Sequence, residues 1–62
     1  MRYKVQRQSK TSTLWRTRLS TPTRERAEVA FTTMIADLPA GVAIRLLDEH
    51  YDLVLAAFSR RR

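Results

Sequence analysis

The chain has 62 residues, no cysteine and one histidine, and 12 Lys and Arg against 6 Asp and Glu give it a formal net charge of +6. A chain of this length forms one domain at most, residues 1–62, and buries only about 60% of its unfolded surface. The composition excludes disulfides, thiolate zinc sites and an all-imidazole metal site, so self-association is the reinforcement that remains open to so small a core.

The positive charge is concentrated at the two ends of the chain. Residues 1–26 carry eight Lys and Arg against one Glu, residues 27–59 carry one Arg against five acids, and residues 60–62 form a basic tail of three arginines. The chain begins with a charged stretch, and its longest apolar run, residues 53–58, is far shorter than the roughly 20 residues that span a bilayer. We therefore expect a folded cytoplasmic protein with no membrane contact.

Two segments near the beginning of the chain alternate between apolar and polar residues, which is typical of half-buried strands. They are residues 2–8 and 13–20, and the polar stretch between them predicts a turn, so we expect an antiparallel hairpin. The residues on the core side of this predicted hairpin are Tyr3, Val5, Trp15 and Leu19. The residues on its open side are Arg2, Lys4, Gln6, Arg16 and Arg18.

A helix is predicted to follow the hairpin. Thr21 and Pro22 suit the N-cap and the first helical position, with Thr23 as a competing cap. Apolar residues then recur at three- and four-residue spacing and form one stripe: Ala27, Ala30, Phe31, Met34, Ile35 and Leu38. Pro39 disfavours helical angles at Leu38, so we expect the helix to end there.

Residues 42–58 are compatible with two structures. Val42, Ile44 and Leu46 alternate as in a strand, and residues 53–58 form a second strand-length run after a polar interruption. The same residues also fit the spacing of one helix, but a second hairpin covers the first one better. The predicted fold is therefore α+β, in the order ββαββ, with a four-stranded, mainly antiparallel sheet and one helix packed on one face.

The open sheet face is the strongest candidate binding surface. Like charges on neighbouring strands repel each other at about 5 Å, so binding of an anionic partner would reduce this repulsion. Arginine, lysine and glutamine on a two-stranded ribbon are suited to base edges in the major groove of DNA, and a basic tail to phosphates. The candidate residues for a nucleic acid or an acidic protein partner are Arg2, Lys4, Gln6, Lys10, Arg16, Arg18, Arg60, Arg61 and Arg62.

An apolar patch is predicted on the late half of the same face. It comprises Leu47, Val54 and Phe58, and an exposed patch of this kind on a small domain favours a homodimer or another protein partner.

No residue pattern points to catalysis. His50 stands among acids, but neighbouring turn residues point in different directions and no second histidine or paired nucleophile accompanies it. The chain has no phosphate-cradling glycine loop and no cofactor motif. We expect no enzyme activity, no metal and no cofactor.

Residues Tyr3 to Met34 resemble part of a known family. Two strands that include Trp15 are followed by a helix opening with Thr-Arg-Glu-Arg-Ala-Glu, residues 23–28, and this order resembles the arm-type DNA-binding domains of phage-type tyrosine integrases. The resemblance implies a small sheet that enters the major groove, with Arg16 and Arg18 at the duplex. The family has three strands before the helix, whereas two are predicted here.

These observations favour a small non-enzymatic regulatory protein that binds nucleic acid, with double-stranded DNA favoured, of the kind carried by phages and other mobile elements. The alternative is a protein-binding modulator, such as a phage-type inhibitor that docks on an acidic or nucleic-acid-binding groove of a host complex.

Overall fold

The computed structural model describes residues 1–60 as one sheet and one helix. The elements, in chain order, are β1 (Tyr3–Gln8), β2 (Arg16–Thr21), α1 (Arg24–Ala36), β3 (Ala43–Asp48) and β4 (Leu53–Ser59). The strands lie in the order β2-β1-β3-β4 and every neighbouring pair is antiparallel. The predicted ββαββ fold is confirmed, and residues 42–58 contain a hairpin rather than a helix.

The core lies between α1 and the two central strands. Val5 on β1 is fully buried and lies opposite Leu46 on β3, while Ile44, two residues earlier on β3, is also fully buried. Successive side chains of a strand alternate between faces, and β3 accordingly alternates between buried and half-buried residues along its length. Val42 extends this buried face, as predicted.

The helix begins later than predicted. It starts at Arg24, so the start predicted at Thr21 is wrong. Thr23 is at the N-cap position, as the competing prediction had it, but its side chain makes no capping hydrogen bond. Thr21 is instead the buried last residue of β2, and its Oγ1 accepts a hydrogen bond from the Thr23 N–H at 3.2 Å. The helix ends at Ala36, two residues before the predicted end at Leu38. Within residues 1–60, no helix has the length and apolarity needed to cross a membrane.

The predicted apolar stripe packs against the core, although its last member, Leu38, lies beyond the end of α1. Ala27 and Leu38 are buried, and the remaining members pack half-buried against the core: Ala30, Phe31, Met34 and Ile35.

A β-bulge in the first hairpin changes which residues face the helix. Leu19 pairs with Val5, but Thr17 pairs with Gln6, so Arg18 is an extra residue on β2. A single inserted residue reverses the alternation that follows it. The prediction that Trp15 shares the core side with Leu19 is therefore wrong: Trp15 is half-buried and lies on the open face of the sheet.

Because of the same bulge, the predicted positions of two arginines on the open face are wrong. Arg16 pairs with Arg7, whose side chain has the same alternation as the core residues Tyr3 and Val5. Arg18 lines a groove with Arg7 on the helix side. Arg16 and Arg18 therefore do not share the open face with Lys4.

A second bulge lies in the other hairpin. Leu46 pairs with Ala56 and Leu47 pairs with Val54, which makes Leu55 the extra residue of β4. Leu55 and Ala56 both pack against the core beside the helix.

Gly41 lies in the α1–β3 loop, at the point where this loop packs against the loop between β1 and β2. Its φ of +83° is a left-handed conformation that favours glycine. A Cβ at this position would lie 3.1 Å from the Cβ of Lys10, which shows how closely the two loops approach.

Candidate nucleic-acid interface

Three arginines meet at the end of the sheet that carries the β1–β2 loop, and we refer to Arg7, Arg16 and Arg18 as the arginine cluster. Arg7 and Arg16 are direct cross-strand partners, and Arg18 is the bulged residue two positions further along β2. The cluster lies on the helix side of the sheet, next to the last turn of α1 and the Leu38–Pro39 segment. The bulge is what brings Arg18 to the same side as Arg7.

Two grooves run along the cluster. One, of about 220 Å³, has Arg7 and Arg18 on one side and Asp37 at the helix end. The other, of about 370 Å³, is lined by all three arginines and by the hydroxyl-bearing residues of the loop: Ser9, Thr11 and Ser12. Guanidinium and hydroxyl groups are the donors that proteins commonly present to phosphate oxygens. The second groove is therefore suited to an anionic ligand.

None of the cluster's arginines forms an ion pair within residues 1–60. No Asp or Glu precedes Glu25 in the sequence. Within residues 1–60, neither the three arginines nor Lys10 in the adjoining loop has a carboxylate oxygen within 4.0 Å. Because like charges on paired strands destabilise a sheet, an anion at the cluster would be stabilising.

The cations at the opposite end of the sheet are neutralised. Arg2 donates two hydrogen bonds to the Asp48 carboxylate, at 3.2 and 3.1 Å, and its guanidinium also lies against the rings of Tyr3 and Tyr51. The Lys4 ammonium lies 3.0 Å from a Glu49 carboxylate oxygen. These two sequence candidates are less available to an external anion than the arginine cluster.

The Arg2–Asp48 pair predicts a specific acid sensitivity. Hydrogen bonds from Arg2 lower the pKa of Asp48, reinforced by the charge of Arg2 and by backbone N–H groups of His50 and Tyr51, while burial opposes them. An unfolded Asp has a pKa of about 3.9, so this pair stabilises the fold above about pH 4 and stops doing so as the pH falls through the lower folded pKa. In the Asp48→Asn variant, the free energy of unfolding should therefore fall less than in the wild type between about pH 5 and pH 2.

Urea unfolding at several pH values measures this difference. Asp37→Asn is the matched control, because Asp37 is exposed and has no ion pair among the described residues. The control should keep the wild-type pH dependence. A wild-type dependence in Asp48→Asn would contradict the assignment.

The basic tail is only partly described. Arg60 lies beside the end of α1, where its Nη2 donates a hydrogen bond to the Ile35 carbonyl oxygen at 3.1 Å. A cation at a helix C-terminus is stabilising, so Arg60 has a structural role there. The candidates Arg61 and Arg62 lie outside the described residues.

A polar network occupies the middle of the open face. Gln6 donates to the Thr17 hydroxyl at 3.3 Å and accepts from Arg45 Nε at 2.8 Å. The Arg45 guanidinium lies over the Trp15 ring, 4.3 Å from its centroid. Gln6 is therefore held between β2 and β3, and Arg45 is held by an amide and an aromatic ring.

The predicted apolar patch is divided between the two faces. Leu47 and Val54 are cross-strand partners on the open face. Phe58 pairs with the fully buried Ile44 and therefore belongs to the helix side. The second bulge is the cause, because it reverses the alternation between Val54 and Phe58.

His50 lies in the β3–β4 turn, as predicted, at the far end of the sheet from the arginine cluster. Its backbone N–H donates to the Asp48 carboxylate at 3.1 Å.

Two of the side chains that define these surfaces were missed at the sequence level. Arg7 was missed because its alternation with Tyr3 and Val5 predicted a core-facing position, and Arg45 because it lies in an apolar run. One signal was present for Arg7: no Asp or Glu precedes Glu25 in the sequence. Comparisons with protein-family models, curated proteins and solved structures gave no match for this chain.

Proposed function

We propose that the chain is a small non-enzymatic nucleic-acid-binding protein, with double-stranded DNA as the favoured ligand, and that the arginine cluster is its main contact. The observation that carries this proposal is the cluster itself: three arginines on one hairpin, next to a loop rich in hydroxyl groups and without a carboxylate partner within residues 1–60. Most protein–DNA hydrogen bonds go to phosphate and sugar, and arginine and hydroxyl side chains supply many of them.

The position of the cluster supports contact with a duplex. β2 is an edge strand, and the loop of residues 9–15 continues beyond the paired part of the hairpin. A two-stranded ribbon fits the major groove of B-DNA, which is about 12 Å wide. Lys10 supplies a fourth cation in the adjoining loop, where its side chain lies next to Gly41.

The ionic-strength dependence of binding tests the proposal. If Arg7, Lys10, Arg16 and Arg18 each neutralise one phosphate, the logarithm of the association constant should fall with the logarithm of salt concentration at a slope of about −3 to −4. Fluorescence anisotropy with a labelled duplex, titrated between about 50 and 200 mM salt, covers a range in which such a slope is measurable. Absence of binding at the lowest salt, or binding that does not depend on salt, would refute the proposal.

The alternative partner is an acidic protein surface that contacts the same cluster. A pull-down from lysate with and without nuclease treatment separates the two. Partners lost on nuclease treatment support nucleic acid, whereas a stoichiometric acidic protein retained after treatment would contradict the nucleic-acid proposal and support a modulator.

A further inference from the structure

The outer edge of β4 is an uncovered strand edge with an unusual composition. We propose that β4 pairs with β4 of a second copy of this chain, antiparallel and across a two-fold axis, to form one continuous eight-stranded sheet. This inference is independent of nucleic-acid binding, because it uses the opposite edge of the sheet from the arginine cluster.

The two edges of the sheet differ in how they are protected. Natural edge strands are usually short or carry charges, prolines or bulges that prevent pairing with another chain. β2 has a bulge and the charges of Arg16 and Arg18. β4 is the longest strand, with seven residues, and its sequence Leu-Val-Leu-Ala-Ala-Phe-Ser contains no charge and no proline. After its bulge at Leu55, residues 56–59 continue as a regular strand.

The charge distribution is compatible with a second copy as the occupant. Two chains of net charge +6 repel unless their positive regions are kept apart. The strand order β2-β1-β3-β4 puts the arginine cluster and the β4 edge on opposite sides of the sheet, so pairing through β4 separates the two clusters as widely as one sheet allows. A two-fold axis also makes the contact closed, since each β4 edge supplies the other's partner.

The small core supplies a reason for this pairing. Seven apolar residues are buried among those described: Tyr3, Val5, Ala27, Leu38, Val42, Ile44 and Leu46. Small domains without disulfides or metals commonly obtain further stability from oligomerisation. Edge pairing would protect β4, whose Leu53 and Val54 are 53% and 45% exposed in the single chain.

Pairing through the edge accounts for the open face better than face-to-face packing does. That face holds Lys4, which is paired with Glu49, and Arg45, which is held by Gln6, beside Leu47. Stacking two such faces would remove these charged groups from water, which is costly. Edge pairing leaves Lys4 and Arg45 in solvent in both copies.

Sedimentation equilibrium on nuclease-treated protein at increasing concentration tests the proposal. The wild type should approach twice the mass of the single chain at high micromolar concentration. Val54→Lys adds a charge to the β4 edge, a feature that natural sheets use to prevent edge pairing, and should weaken association by at least about tenfold. Val29→Lys is the matched control, because Val29 is an exposed valine on the outer side of α1, and it should associate like the wild type.

Two outcomes would overturn the proposal: a wild type that stays at single-chain mass, or a Val54→Lys variant that is folded by circular dichroism and associates like the control. Hydrogen exchange on the wild type gives a result that does not depend on any variant folding. Protection of the backbone amides of residues 53–59 should increase with protein concentration, and protection independent of concentration would also refute the pairing.

Discussion

Replacing Arg16 and Arg18 together by alanine is expected to weaken binding to a DNA duplex by about 50- to 100-fold at 0.1 M salt and to reduce the salt slope by about 2. The expected loss of affinity follows from counterion release. Each phosphate contact contributes about 0.9 to the salt slope, which corresponds to a nearly tenfold difference in the association constant between 0.1 M and 1 M salt. Anisotropy titrations of both proteins at several salt concentrations measure both quantities.

The matched control removes two arginines from a different surface. Arg24 and Arg26 lie in the first turn of α1, whereas the last turn is the one next to the arginine cluster. The Arg24→Ala, Arg26→Ala double variant has the same net charge as the test variant, and we expect it to retain most of the affinity. Equal losses in the two variants would mean that binding follows net charge alone, and an unchanged affinity in the test variant would exclude the cluster.

The same substitution separates binding from folding. Arg16 and Arg18 are exposed and lie near Arg7 without a carboxylate partner among the described residues. Exposed substitutions of this kind change the free energy of unfolding by about 0.5 kcal/mol or less. A loss of DNA binding with unchanged urea unfolding therefore assigns the arginines to the ligand and not to the fold.

The element order could be predicted from the sequence because each element has its own hydrophobic period. The stripe from Ala27 to Leu38 has the period of a helix, and Val42, Ile44 and Leu46 have the period of a strand. The start of the helix was less determined, because Thr21 and Thr23 are equally good caps by residue type. Tertiary structure decided it, since Thr21 is paired with Tyr3 at the end of β2.

The faces of the sheet could not be predicted, because they depend on two bulges. Neither Arg18 nor Leu55 is a glycine or stands next to a proline, so nothing local marks an inserted residue. One insertion moved Trp15 to the open face and Arg16 to the helix side; the other separated Val54 from Phe58. The pattern of alternation was read correctly within each short segment and failed across each bulge.

The ion pairs could not be predicted from the sequence either. Arg2 and Asp48 are 46 positions apart and meet only because β1 and β3 are the central strands. The cations at the start of the chain look equivalent by composition, yet Arg2 and Lys4 are neutralised and the arginine cluster is not. Pairing across the sheet therefore selects the candidate site from a larger set of basic residues.

The second large expected effect concerns the core: Ile44→Ala should lower the free energy of unfolding by about 2 to 5 kcal/mol. Ile44 is fully buried in central strand β3 between β1 and β4, so the surrounding backbone has little freedom to fill the space left. A folded domain has roughly 0.05 to 0.15 kcal/mol of stability per residue, so the loss is comparable with the total for this chain. Urea unfolding followed by far-ultraviolet circular dichroism measures it.

Ile35→Ala is the matched control for this prediction, because Ile35 is the only other isoleucine in the chain and is half-buried on α1. The same atoms are removed in both variants, so a smaller loss at Ile35 isolates the contribution of full burial between strands. Equal losses would show that the two sites are equally packed and that Ile44 is not the centre of the core. A loss below about 0.5 kcal/mol at Ile44, the level typical of an exposed site, would contradict its burial.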